Sequence, residues 1–330
     1  MAYNLAAMTV RIRSFAKINL GLHIGAARED EFHELLTVYQ TIGLHDEIRV
    51  SLGRGSGIEI HSNDPRVPSS ESNTSESNTC YRIVEKAMQA LRAKGRVRID
   101  IAKRLPVQGG LGGASSNAVA TLLGLERALK KRLPAEERLR IAAEVGSDVP
   151  LFLVGGTVLG VGRGEQVYPL KDLPATACVV VTPEVGVSTP KAFAEWDRKL
   201  TVPGASDRMS ELSRGLSAWL SESYSGAPRQ ISRRGRAENP LLELVRAGIK
   251  NDFEQVVFPE YPELSEGKCA LERAGAKYAS LSGSGSTLYG LFASKQAARA
   301  AVARLRRQGW VAQATVTLTR GQYWRRIFDC

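Results

Sequence analysis

Pro106-Val107-Gln108-Gly109-Gly110-Leu111-Gly112-Gly113-Ala114-Ser115-Ser116-Asn117-Ala118 is the stretch from which the rest of the chain is best read. Glycine fills four of the five positions from 109 to 113. With no Cβ in the way, the backbone N–H groups of such a loop can converge on a single anion. A helix is predicted to follow over residues 117–129, with Val119, Leu122, Leu123 and Leu129 along one amphipathic stripe. Ser115 or Ser116 supplies its N-cap, and the free N–H groups of the first turn add the positive end of the helix dipole. A glycine loop running into a helix N-terminus is how proteins hold phosphate groups.

Of two familiar phosphate loops, the residues rule out one and fit the other poorly. The Walker pattern needs a lysine followed by Ser or Thr after its last glycine, and no lysine lies between Arg104 and Leu129. A dinucleotide fingerprint wants a strand, three glycines and an acidic residue roughly 20 positions on. A strand over residues 97–101 does precede the loop, but Pro106 and the Ser115-Ser116 ending do not fit that pattern.

The wider composition is that of a soluble globular protein. The 330 residues suffice for two domains or one large one, and 43% hydrophobic with 24% charged residues is ordinary. No apolar run approaches the roughly 18 residues of a membrane helix. The first residues lack the basic start and apolar core of a signal peptide, and Met8 is a second candidate start. Cys80, Cys178, Cys269 and Cys330 are scattered, as expected of reduced thiols in a cytoplasm. His23, His33, His45 and His61 have no metal-ligand spacing.

A net charge of +11 admits a nucleic-acid-binding protein as an alternative. Its basic clusters, Lys130-Lys131-Arg132, Arg233-Arg234, Arg306-Arg307 and Arg325-Arg326, are dispersed, and aromatic residues make up only 6%. That is too few for stacking platforms, so a surface that attracts anionic nucleotides is the preferred reading.

Along the chain, residues 10–24 alternate at period two. Val10, Ile12, Ala16, Ile18, Leu20, Leu22 and Ile24 share one face, while Arg11, Arg13, Lys17, Asn19 and His23 share the other. This predicts a long half-buried strand with a polar second face. Further strands are predicted at 46–52, 58–61, 97–101, 149–154, 157–161, 177–181 and 310–318, with a hairpin over 278–292. Helices are predicted at 81–93, 136–144, 241–247, 262–274 and 295–307. Residues 201–236 are rich in Ser, Gly and Arg, with one amphipathic stretch at 212–220, and read as an insertion. The ordering is α+β.

Pro-x-x-x-Gly-Leu-Gly-Gly-x-Ser-Ser-x-Ala resembles the signature of the GHMP kinases. Six further groups of residues lie in the order of that family. Ala16-Lys17-Ile18-Asn19-Leu20 and Arg28-Glu29-Asp30-Glu31-Phe32-His33 come first. Gly146-Ser147-Asp148-Val149-Pro150 and Val187-Ser188-Thr189-Pro190 follow. Lys250-Asn251-Asp252-Phe253-Glu254 and Leu281-Ser282-Gly283-Ser284-Gly285 close the set, which is similar to the branch acting on a cytidine diphosphate sugar alcohol.

The resemblance implies an α+β, two-domain fold. The N-terminal domain, residues 1–174, would be ribosomal-protein-S5-domain-2-like, and the C-terminal domain, 175–330, ferredoxin-like. It implies ATP with Mg²⁺, a small-molecule alcohol substrate on the non-mevalonate route to isoprenoids, no nucleic-acid or membrane partner, and a monomer or weak homodimer. The alternative within the family is a kinase of the homoserine or mevalonate type. An ATP-binding regulator without catalysis would lack the base or the lysine.

Phosphoryl transfer asks a protein to position groups, neutralise charge and hold a base near the attacking hydroxyl. Asp148 is the candidate base, set between a helix ended by Gly146 and the apolar run 149–154; a capping carboxylate is the plainer alternative. Lys17 projects from the polar strand face beside Asn19, where a solvated lysine is the plainer alternative. A cation near the carboxylate would keep it ionised and stabilise charge on the moving phosphoryl. The family implies Lys17 and Asp148 as the catalytic pair and Asn19 as a substrate contact. Residues 106–116 would hold the triphosphate, Ser115 or Ser116 assisting phosphate or Mg²⁺, with Asn78 near the adenine. Gly283, Ser284 and Gly285, continuing into Ser286, would form a second turn beside the transferring phosphate. Phe32 and Phe193 would sandwich the cytosine and His33 would bond its edge, although unaided both phenylalanines read as core residues. Glu31 and Gln108 stand where the family often has glycine. Glu31 is therefore expected to take a turn other than the left-handed one, and Gln108 to point its side chain outward.

Overall fold

A computed structural model of the chain describes residues 9–72, 74–199 and 250–328. The expected insertion at 201–236, the stretch 212–220 and the helix at 241–247 lie outside the described residues.

Two long antiparallel strands, β1 (Val10–Ala27) and β2 (His33–Gly53), form the spine. The sequence places one alternating face on β1, but register shifts after Phe15, Asn19 and Ile24 break the alternation. The strand therefore feeds three separate cores in turn. Val10, Ile12 and Phe15 join the first, Ala16, Ile18 and Leu20 the second, and Leu22 and Ile24 the third. The polar face is exposed only at its start: Arg11 is exposed, whereas Lys17 is 3% and Asn19 1% exposed, so the alternative of a solvated lysine does not hold.

β2 is long enough to serve two neighbours on its other edge. Its C-terminal half pairs with β4 (Arg96–Ala102), and Thr37 to Gln40 pair with β5 (Thr157–Val161). β3 (Gly57–Ser62) runs parallel to β4, a pairing that needs a crossover. That crossover carries α1 (Thr79–Ala90). β6 (Gln166–Pro169) closes the far edge on β5.

Against this sheet lie α2 (Gly113–Leu129), α3 (Ala135–Val145) and α4 (Val149–Val154). α2 is buried without a break from Ser116 to Glu126. It is thus a central helix wrapped by the sheet and its neighbours, and the single amphipathic stripe expected of it is too narrow a description. The strand predicted at 149–154 is helix α4. A six-residue apolar run carries no period of its own, and Pro150 suits a first helical turn.

A second, antiparallel sheet has the order β10-β7-β9-β8, from β7 (Ala177–Val181), β8 (Tyr278–Leu281), β9 (Leu288–Phe292) and β10 (Ala312–Val316). Helices α5 (Thr189–Lys199), α6 (Glu254–Glu260), α7 (Pro262–Arg273) and α8 (Lys295–Arg307) accompany it. A last helix, α9 (Arg320–Arg326), returns to the first sheet, where the Tyr323 hydroxyl donates to Phe152 O at 2.7 Å. No helix was expected beyond residue 318, where basic and aromatic residues alternate too irregularly to signal one.

The two sheets share a core. Ala16, Ile18, Leu20, Val38 and Ile42 from β1 and β2 pack with Cys178, Val180, Tyr289 and Leu291. The Tyr289 hydroxyl donates to Asn19 O at 2.8 Å, and Leu22 bridges to Asn251. These contacts bring the glycine turn after β8 up against the loop before α2.

Candidate active site

The main-chain carbonyls of the loop before α2 are held by three donors. Leu111 O accepts from Lys17 N at 3.0 Å, Gly109 O from Thr287 N at 3.2 Å, and Gly110 O from Ser282 Oγ at 2.9 Å. Gly110 has φ 74°, and a Cβ there would lie 2.1 Å from Ser282 O. Only glycine fits. Gln108 takes φ 58°, the left-handed region that glycine usually fills.

The entry to the loop is fixed by a carboxylate that sequence reasoning missed. Asp46, fully buried, accepts from Arg104 N and Leu105 N at 2.7 Å each and from Lys103 Nζ at 2.6 Å. Its neighbours His45 and Glu47 make it look like one more surface charge, so the sequence carried no clear signal.

α2 starts at Gly113 with Gly112 in the N-cap position, so neither Ser115 nor Ser116 is the cap as expected. Both lie inside the first turn, where the glycine start leaves N–H groups free. Ser116 is 2% exposed, and its Oγ lies 2.8 Å from that of Ser14. Ser115 is half-buried and lines the cavities described next.

Two cavities meet at this loop. A cavity of ≈ 380 Å³ is lined by Pro106 to Ser115 together with Arg66, Pro68, Asn78 and Lys103. A larger one, ≈ 660 Å³, is lined by Lys17, Asn19, Phe32, His33, Tyr39, Asp148, Arg163, Phe193, Gly283 and Ser284. Gly110, Gly112 and Ser115 belong to both walls. The dipole of a 17-residue helix points its positive end at that shared wall.

Lys17 and Asp148, remote in sequence, stand beside it. Lys17 Nζ lies 3.4 Å from Asp148 Oδ2 and donates to Asn19 Oδ1 at 2.6 Å. Asp148 precedes α4 without capping it, so the capping alternative does not hold and its carboxylate is free to face β1. The Tyr39 hydroxyl, also missed from sequence, donates to Asp148 Oδ1 at 3.0 Å. Burial first, and then the charge of Asp148, push that phenol well above its usual range. The Asn19 amide is completed by its donation to Thr37 Oγ1 at 2.8 Å.

At the far end of the larger cavity the His33 ring stacks on Phe193, centroids 4.9 Å apart and planes at 12°. Its Nε2 is 2.7 Å from Asp197 Oδ1, and the Phe193 ring meets Phe253 edge-on at 4.9 Å. Phe32 is 49% exposed with the Arg163 guanidinium 4.9 Å over its ring, so it is no core residue. Glu31 does adopt the left-handed conformation, φ 64°, contrary to the expectation of another turn. Few residues other than glycine take that region, and here the turn is closed by Glu31 N donating to Arg28 O and Arg28 N donating to Phe32 O.

Asn78 lines the smaller cavity, but its side chain is spent on structure, accepting from Cys80 N at 2.9 Å and donating to Pro68 O at 2.8 Å. Gly283 lies against Lys17: a Cβ there would be 3.5 Å from its Nζ. Ser284 shares a 2.7 Å hydroxyl contact with Thr189. Gly285 sits behind them, its N–H on Ser282 O at 3.0 Å. The turn is propped by Asn251, whose Nδ2 donates to Leu281 O and Gly283 O. Among the described residues no helix is long and apolar enough to cross a membrane.

Residues 78–156 match the model of the GHMP kinases N terminal domain, and 237–310 that of the GHMP kinases C terminal. The 4-diphosphocytidyl-2-C-methyl-D-erythritol kinase of Solibacter usitatus is 37% identical over 286 residues, 87% of this chain and 82% of that protein. The one from Citrifermentans bemidjiense is 32% identical, covering 92% of this chain and 97% of its own. A crystal structure of 4-(cytidine 5'-diphospho)-2C-methyl-D-erythritol kinase superposes with TM-score 0.69 at 29% identity, covering 93% of this chain and 98% of the other. A homoserine kinase structure from Cytophaga hutchinsonii, at TM-score 0.71 but 20% identity over 97% of both chains, shares the fold. The glycine loop, the Lys17–Asp148 pair and these matches agree: the chain is an ATP-dependent small-molecule kinase and belongs to the 4-diphosphocytidyl-2-C-methyl-D-erythritol kinase family of the GHMP kinases.

Proposed function

We propose that the protein transfers the γ-phosphoryl group of ATP to a hydroxyl of 4-diphosphocytidyl-2-C-methyl-D-erythritol, with Asp148 as the base and Lys17 as its cationic partner. The observation that carries this is the 3.4 Å Lys17–Asp148 pair at the wall shared by two cavities. A triphosphate in the smaller cavity would extend its terminal group past Gly110 and Ser115 toward that pair. An alcohol in the larger cavity would present its hydroxyl to Asp148, which takes the proton as oxygen attacks phosphorus. Lys17, buried and fixed by Asn19, balances the charge on the equatorial oxygens.

The far end of the larger cavity suits a planar base. Phe193, backed edge-on by Phe253, offers a rigid aromatic wall, and the imidazole of His33, oriented by Asp197, supplies a polar edge. We assign Phe32, His33 and Phe193 to cytosine recognition on this ground, and Asn78 with residues 106–116 to ATP. In this assignment Ser116 shapes the first turn of α2 and Ser115 makes the phosphate contact.

Among the described residues, no group of three or more Asp, Glu, His or Cys side chains could form a metal cage. That donor set fits Mg²⁺ held mainly by phosphate oxygens and water. Ser115 and Asp148 are the residues that would face it, and the ion would neutralise phosphoryl charge. The proposal places the domains at 1–174 and 175–330. In support, the strands of the first sheet end at Pro169 and those of the second begin at Ala177. It carries a cytoplasmic location and a monomer or weak homodimer. The test is ADP release with Mg-ATP and either the cytidine diphosphate alcohol or homoserine. Turnover with the former supports the proposal; turnover with homoserine alone refutes it.

A further inference from the structure

Tyr39 belongs to no recognised motif, yet its hydroxyl lies nearer the reactive carboxylate than the lysine does. It donates to Asp148 Oδ1 at 3.0 Å, while Lys17 Nζ stands 3.4 Å from Oδ2. The two oxygens are thus held by different partners from adjacent strands, one on β2 and one on β1. A carboxylate gripped at one oxygen can still rotate about its Cβ–Cγ bond; gripped at both, it cannot.

The fold makes room for this ring. A Cβ at Gly160 would come 2.5 Å from Tyr39 Cε2, and one at Gly164 would come 2.5 Å from the hydroxyl itself. Tyr39 is only 2% exposed. Two other buried tyrosine hydroxyls, of Tyr289 and Tyr323, are satisfied by main-chain carbonyls in the core. Tyr39 instead spends its proton on a side chain that lines the substrate cavity. Its phenol, raised far above neutrality by burial and the neighbouring charge, remains a donor throughout the working pH range.

We propose that Tyr39 is a positioning residue for the base: it fixes Asp148 Oδ1 so that the carboxylate keeps one orientation toward the acceptor hydroxyl, and it affects the reaction only through Asp148. This rests on the assignment of Asp148 as the base. No proton leaves Tyr39 during turnover; the proton of the acceptor passes to Asp148.

Tyr39→Phe keeps the ring and removes the bond. It should lower kcat by about 10- to 100-fold, the loss of one hydrogen bond to a charged group, with KM for ATP and for the alcohol within about twofold of wild type. Adding Tyr39→Phe to Asp148→Asn should change single-turnover rates by less than about twofold, because the group it acts through is already gone. A purely packing role would raise both KM values and cost as much in either background. The inference is overturned by a kcat within about twofold of wild type, or by an equal loss in both backgrounds. The comparison is made on whichever acceptor the wild type phosphorylates. A wild type inert toward the cytidine compound therefore counts against the proposed substrate, and the ratio between variants judges Tyr39 separately.

Discussion

Replacing Gly110 by alanine should damage catalysis far more than a single methyl elsewhere in the site. The added Cβ would sit 2.1 Å from Ser282 O and 3.1 Å from Gly285 O, both main-chain atoms of the facing turn. Neither can swing aside as a side chain would. Real Cβ atoms essentially never come within 3.0 Å of such an atom, so loop and turn must separate by about 1 Å. That movement stretches the 2.9 Å bond from Ser282 Oγ to Gly110 O, one of the ties that aligns the phosphate loop with Lys17. Alanine at φ 74° adds about 1–2 kcal/mol of left-handed strain. A displacement of about 1 Å in a positioning element lowers turnover by about 10²-fold. Steady-state kinetics with ATP varied should therefore give kcat/KM about 10²-fold below wild type, and urea unfolding a loss of about 1–3 kcal/mol. Gly146→Ala is the control, since its Cβ would meet only Val149 Cγ2 at 3.4 Å, an ordinary contact. Wild-type kinetics in Gly110→Ala, or equal damage in the control, would refute the argument that this close approach aligns the site.

Two further outcomes follow from named contacts. Phe193→Ala removes the wall stacked at 4.9 Å on His33 and should raise KM for the alcohol by the equivalent of about 1–3 kcal/mol, leaving KM for ATP unchanged; equal alcohol affinity would remove Phe193 from the base site. Asp46→Asn takes the charge partner from Lys103, whose side chain is 6% exposed, and should cost about 3–5 kcal/mol in urea unfolding, recovered in part by adding Lys103→Met; a wild-type unfolding midpoint for the single variant would show the pair to be inert.

What the sequence displayed and what it hid divide along physical lines. The glycine loop was legible because its conformation admits few residue types, and Gly110 shows why. The helix over 295–307 was legible because its apolar residues face one way and Ser294 caps it, with its side chain accepting from Ala297 N. The three register shifts in β1 were not legible, since a bulge is decided by what packs on either side of the strand. For the same reason nothing in residues 10–24 shows what lies over Lys17 and Asn19, which the glycine loop and the turn after β8 approach. α4 looked like a strand because six apolar residues have no measurable period. Lys17 and Asp148 could each be nominated from their surroundings in the chain, but paired only through a resemblance, because their 3.4 Å meeting is made by tertiary contacts. Tyr39 and Asp46 were missed because each acts on a partner distant in the chain and carries no local pattern. Glu31 and Gln108 show the limit of inferring conformation from residue type: both adopt the backbone that glycine would favour.

The central claim, that Asp148 draws the proton from the acceptor beside a cradle that binds ATP without it, is tested by Asp148→Asn alone. Calorimetric titration with a non-hydrolysable ATP analogue should give an affinity within about threefold of wild type, while kcat falls by about 10²-fold or more. An Asp148→Asn enzyme that keeps most of its turnover, or that loses nucleotide binding in step with its rate, contradicts the account.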